Sequence, residues 1–146
     1  MRLQLALNVD DLDEAVDFYT RMFGTEPAKL RPGYANFAIA DPPLKLVLFE
    51  GAGEAGSINH LGVETETSEE VVAAEARLAG SGLETSGVDE TMCCYAEKTE
   101  TWVHGPDTTR WEWYVKTGDS EELANVVLSS TGARTEATPT SGCCAG

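Results

Sequence analysis

Leu3-Gln4-Leu5-Ala6-Leu7-Asn8-Val9 alternates along its length and reads as a strand. Asp10-Asp11 follows and offers an N-cap. Leu12, Ala15, Val16, Tyr19 and Met22 then recur at helical spacing, and Gly24 closes that helix. Residues 36–40 and 44–50 predict two further strands, separated by the turn Asp41-Pro42-Pro43. A Gly/Ala-rich connector occupies residues 51–56, and then the scheme starts again. Asn59-His60-Leu61-Gly62-Val63-Glu64 reads as a strand, and Ser68 opens a helix through Val71, Val72, Ala76 and Leu78. Residues 92–96, 101–104 and 111–116 read as extended, with Gly105-Pro106-Asp107 as a turn. Gln4-Leu5-Ala6-Leu7 thus overlays His60-Leu61-Gly62-Val63, and each copy of the repeat is strand–helix–strands. From Asp119 the pattern fades. Apart from a short helical stub over 121–128, residues 119–146 read as a flexible Ser/Thr/Gly-rich tail.

With 146 residues the chain is long enough for one domain with its own core. Its 42% hydrophobic and 24% charged content is ordinary for a globular protein. Ten basic side chains against 25 acidic ones give a net charge of −15, which repels phosphate backbones and anionic lipid. Nucleic acid and membrane surfaces are therefore not expected partners. No apolar run approaches membrane-spanning length, and the N-terminus shows no signal-peptide pattern, so the expected compartment is the cytoplasm.

Three polar side chains fall on strands where apolar ones are expected: Gln4, His60 and Glu112. Each alone is unremarkable, since a lone strand histidine is commonly structural and a glutamate between Trp111 and Trp113 can face solvent. Together they point to a metal site, because a buried carboxylate without a partner is costly. One imidazole with oxygen donors suits a borderline divalent cation such as Fe(II), Mn, Co, Ni or Zn. The four cysteines form two adjacent pairs, Cys93-Cys94 and Cys143-Cys144. Neighbouring residues do not suit ordinary disulfide geometry, so the pairs suggest a thiol-seeking ligand. Successive strand side chains face opposite ways, so Cys93 and Cys94 can grip one atom only from a turn or irregular segment.

The passage Val9-Asp10-Asp11-Leu12-Asp13-Glu14-Ala15-Val16-Asp17-Phe18-Tyr19, with Gly105-Pro106-Asp107 through Trp111-Glu112, resembles the vicinal-oxygen-chelate superfamily over roughly residues 2–118. Residues 32–48, Asn59-His60-Leu61-Gly62-Val63-Glu64 and Cys93-Cys94-Tyr95-Ala96 resemble its arsenic–carbon lyase and cadmium-inducible branch more closely. The resemblance implies an α+β fold. Two βαβββ modules, about residues 1–52 and 57–118, would pair into an open, barrel-like metal-binding cup. It implies Fe(II) held by Gln4, His60 and Glu112, with other divalent metals possible in preparations, and O2 as co-substrate. It implies that Cys93 and Cys94 hold a trivalent organoarsenical, such as methylarsonous acid, while its carbon–arsenic bond is cleaved. Cys143 and Cys144 are then accessory thiols. The alternatives are a thiol-based cadmium or arsenic sequestrant without turnover, or another glyoxalase- or dioxygenase-type reaction. Either a monomer or a homodimer with exchanged modules buries the same surfaces.

Overall fold

The structure is a computed structural model that describes residues 1–131; Cys143 and Cys144 lie outside the described residues. The described residues divide into two compact units, Arg2–Leu61 and residues 62–131.

The first unit runs β1 (Arg2–Val9), α1 (Leu12–Phe23), β2 (Lys29–Arg31), β3 (Tyr34–Ile39) and β4 (Leu44–Glu50), the expected βαβββ order. Its strands lie in the order β2-β3-β4-β1, with the start of β5 (Ile58–Glu64) beside β1. The backbone N–H of Glu14 donates to the Asp11 side chain, which caps α1, and Gly24 ends it at φ +61°. β1 runs parallel to β4, pairing Leu5 with Leu46 and Leu7 with Leu48, and β3 is antiparallel to β4. Leu5, Leu7 and Val9 pack with α1 against buried Phe37, Ile39, Leu46 and Leu48. Each of these four contributes about 1.5–3 kcal/mol by leaving water. Alternation turns Gln4, Ala6 and Asn8 to the opposite face of β1, where they too are buried. The short β2, pairing antiparallel with β3, was not read from the sequence. Three residues carry too little pattern to be seen.

The second unit repeats the order with β5, α2 (Ser68–Gly80), β6 (Val88–Cys93), β7 (Ala96–His104) and β8 (Arg110–Asp119). A 3-10 turn, Pro106–Thr108, joins the last two. β9 (Val126–Thr131) follows, and the strand order is β5-β8-β7-β6-β9. Thr67 and Glu70 form a reciprocal capping box at α2, one residue ahead of the cap read from Ser68. Odd-numbered residues of β7 and β8 face α2: Thr99 meets Ser68 at 2.9 Å, and the Arg77 guanidinium lies over the Trp113 ring. Even-numbered residues face the other way.

Two expectations need correcting. The run 92–96 is not one extended segment, because the chain turns at Cys94–Tyr95 and Cys93 pairs with Ala96 across a two-residue hairpin. Nor is the stretch after Asp119 helical. Val126–Thr131 forms β9, antiparallel to β6 along an edge whose backbone groups would otherwise lack partners. The segment read as a tail is therefore built onto the sheet as far as Thr131. No helix among the described residues is long and apolar enough to cross a membrane.

Candidate functional site

In the first unit, Gln4 on β1 and His60 on β5 lie side by side, with Nε2 of one 3.0 Å from Nε2 of the other. Both are buried. His60 Nδ1 is 2.8 Å from the Asn59 side-chain oxygen, and the Asn59 amide donates to Asn8 Oδ1 at 3.0 Å. The Phe49 ring lies 6.2 Å from the imidazole, tilted by 41°. The repeat thus does bring its matching positions Gln4 and His60 together. Gln4 does not lie on the apolar face of β1, however. The apolar side of β1 faces α1, and Gln4 belongs to the reverse side, which is closed to solvent as well.

In the second unit, Glu112 is fully buried on the even face of β8. Its carboxylate accepts a hydrogen bond from Lys98 Nζ at 2.8 Å, and Glu100 lies 3.9 Å from the same ammonium. Lys98 also sits 4.9 Å from the Tyr114 ring centroid. Burial disfavours the Lys98 ammonium, yet Glu112, Cys94 and Glu100 more than offset this, so its pKa lies well above the ordinary lysine value. Burial pushes Glu100 from 4.5 to about 8, and Lys98 opposes only part of that rise. One Glu100 oxygen is buried without a hydrogen-bond partner. The cluster therefore holds one carboxylate paired with the ammonium and one protonated at neutral pH.

The two cysteines lie at a turn between β6 and β7. Cys94 and Tyr95 have φ of +55° and +61°, both left-handed. Two such residues between paired strands make a type I′ turn, a conformation that glycine and asparagine favour and other residues adopt at a cost. That turn abolishes the strand alternation, and the two sulfurs lie 3.1 Å apart. The turn is held from outside. The Cys94 and Tyr95 N–H groups donate to the carbonyls of Leu123 and Glu122, and Ser120 N–H donates to the Tyr95 carbonyl. Cys94 carries a buried thiol, whereas Cys93 is engaged in a disulfide.

Among the described residues no three of His, Cys, Asp or Glu are gathered as metal ligands would be. A site built here has to count the Gln4 amide. Lys98 and Glu100 were missed as members of the cluster. Alternation with Trp102 and His104 on one β7 face was visible, but only the β7–β8 register sets them against Glu112 and Tyr114. His104 is exposed at the strand end.

Fold and repeat together define a class. The chain belongs to the Glyoxalase/Bleomycin resistance protein/Dioxygenase superfamily, which residues 3–113 match. Over 124 residues it is 57% identical to a trivalent organoarsenical cleaving enzyme of Thermomonospora curvata, spanning 84% of this chain and 82% of the relative. Over 124 residues it is 56% identical to the cadmium-induced protein CadI of Mycobacterium tuberculosis, spanning 85% and 82%. Among solved structures it resembles the Mn(II)-bound glyoxalase of Novosphingobium aromaticivorans. There the TM-score is 0.58 at 19% identity, over 83% of this chain and 41% of that one. It also resembles methylmalonyl-CoA epimerase of Mycobacterium tuberculosis, with a TM-score of 0.55 at 16% identity, over 77% and 85%. These structural likenesses speak for the fold alone.

Proposed function

We propose that this protein is an Fe(II)- and O2-dependent enzyme that cleaves the carbon–arsenic bond of trivalent organoarsenicals. The observation that carries the reading is the Cys93–Cys94 turn, with two sulfurs 3.1 Å apart beside the Lys98–Glu112–Glu100 cluster. Trivalent arsenic is soft and binds thiolates, and two adjacent sulfurs form a chelate that one cannot. The identity to an organoarsenical cleaving enzyme supports the same substrate class.

Gln4, His60 and Glu112 are the proposed metal ligands. The donor chemistry supports them: a buried imidazole beside an amide, and a buried carboxylate, are the nitrogen and oxygen donors that a borderline divalent cation takes. Fe(II), when bound, supplies the activation of O2 that a thiol pair cannot. The chain's own residues do the rest. Once a thiol reductant has opened the Cys93 disulfide by thiol–disulfide exchange, Cys93 and Cys94, both as thiols, exchange with two hydroxyls of methylarsonous acid, forming two S–As bonds and releasing two waters. The substrate is then held through arsenic with its methyl group left available. For this substrate the overall reaction balances as CH3As(OH)2 + O2 → As(OH)3 + HCHO. Lys98 holds the Glu112 carboxylate in place by its hydrogen bond, and Glu100 is a proton source within the same cluster. Cys143 and Cys144 are proposed as accessory thiols, and the working compartment is proposed to be the cytoplasm.

The test is anaerobic reconstitution with Fe(II), followed by addition of methylarsonous acid and O2. Equimolar loss of both, with arsenite and formaldehyde formed, is expected; arsenite release in the presence of a strong iron chelator overturns the reading. A second reading, stoichiometric sequestration of cadmium or arsenic without turnover, is favoured by the equally close cadmium-induced relative. It predicts tight Cd(II) binding lost in Cys94→Ser, and no O2 consumption.

A further inference from the structure

We propose that Asn59, Asn8 and the connector ahead of β5 form a directional hydrogen-bond relay that sets the tautomer of His60, with Asn59 as its positioning residue. The relay starts at an atom that can only accept, the backbone carbonyl of Glu54. The Ser57 hydroxyl donates to that carbonyl, so its oxygen is left to accept. Asn8 Nδ2 donates to Ser57 Oγ at 2.9 Å, which turns Asn8 Oδ1 toward Asn59. Asn59 Nδ2 donates to that oxygen at 3.0 Å, which turns Asn59 Oδ1 toward the imidazole. His60 Nδ1, 2.8 Å away, must therefore carry the proton. Nε2 is then the bare nitrogen, and it faces the Gln4 amide N–H at 3.0 Å. Reversing either asparagine amide alone would set like against like: Asn59 reversed faces acceptor to acceptor at Asn8, and Asn8 reversed faces donor to donor at Asn59.

The geometry around the relay is built to keep it so. Asn8, Asn59, His60 and Gln4 are all more than nine-tenths buried, so water is a poor substitute for the links among these four. The backbone ties the two sides together: Asn8 N–H donates to the Ser57 carbonyl at 2.9 Å, and Gly56 N–H to the Asn8 carbonyl at 2.8 Å. A Cβ at Gly53 would come within 2.7 Å of Asn8 Nδ2, so only glycine at 53 leaves the Asn8 amide where it is. A neutral imidazole with one nitrogen deprotonated is the form that a metal ligand takes, and the relay selects Nε2 for that role. The catalytic importance of the relay rests on the metal reading above, but the tautomer itself does not.

The experiment uses metal-free full-length protein labelled with 15N-histidine and observed by long-range 1H–15N correlation at pH 7.5. The chain has two histidines, so His104→Gln assigns the His60 signals. A protonated Nδ1 and a pyridine-type Nε2 are expected; a protonated Nε2, or an averaged mixture, in the wild-type protein overturns the proposal. Asn59→Ala and Gly53→Ala should each lose the preference, and Asn59→Asp, which keeps the acceptor, should restore it. An unchanged spectrum in both alanine variants also overturns the relay. Co(II) titration is the second readout. Affinity should fall about 10–100-fold in Asn59→Ala and recover in Asn59→Asp. The expected tautomer together with no Co(II) binding by the wild-type protein would refute the metal reading and leave the relay standing.

Discussion

Glu100→Gln should stabilise the metal-free protein at neutral pH and leave its stability unchanged in acid. Glu100 is buried beside Lys98 and Glu112, and its pKa rises from 4.5 to about 8 on folding. A pKa raised in the folded state means that the native chain binds a proton which the unfolded chain releases. That contribution is intact below pH 4.5 and is lost progressively as pH rises through about 8. Each pH unit in that window costs about 1.4 kcal/mol, so the penalty at pH 7 is about 3 kcal/mol. Glutamine keeps the shape and an N–H donor, as the protonated acid does, and never titrates. The variant should melt about 10 °C higher than the wild type at pH 7. The two should coincide near pH 4.5, and the difference should grow steadily between those pH values. Calorimetric or urea unfolding of both proteins from pH 4.5 to 8 measures it. A Glu100→Gln variant no more stable at pH 7 than at pH 4.5, relative to wild type, would refute the reasoning. Glu100 would then be solvated or ionised in the native state.

Cys93→Ser and Cys94→Ser should each lower organoarsenical turnover by at least about a hundredfold while leaving bound iron unchanged, as read by product and metal analysis; loss of iron would move the thiols into the metal shell. Thr108 is exposed at φ +63°, so Thr108→Gly should raise stability by about 1 kcal/mol, seen as a higher urea midpoint at constant m. Removing residues 120–146 takes away the carbonyls that hold the Cys94 and Tyr95 amides. The rest should stay folded, with those two amides exchanging hydrogen at least about tenfold faster.

Local pattern carries far in this chain. The alternation of residues 3–9, the Asp11 cap, Gly24 and the restart at Asn59 depend on chemistry within a few residues, and they gave both βαβββ units and the class of fold. Gln4, His60 and Glu112 stood out as polar groups within strands, and all three are buried. The adjacent cysteines carried the further deduction that they could grip one atom only from a turn or irregular segment, and a left-handed pair at 94–95 follows Cys93 at the end of β6.

Cross-strand placement was out of reach. Lys98 is an unremarkable lysine until β7 and β8 pair in a register that sets its ammonium 2.8 Å from Glu112. The segment after Asp119 offers only a short helix-like stretch over 121–128 and no strand alternation to announce it. It becomes a strand because β6 presents unpaired backbone groups, a property of the sheet rather than of residues 126–131. The role of Asn8 and Asn59 belongs to the same category. Sequence spacing determines which face of a strand a side chain leaves from. Only the folded chain, by burying polar groups until each must find a partner, decides which amide turns toward which and so where the proton on His60 resides.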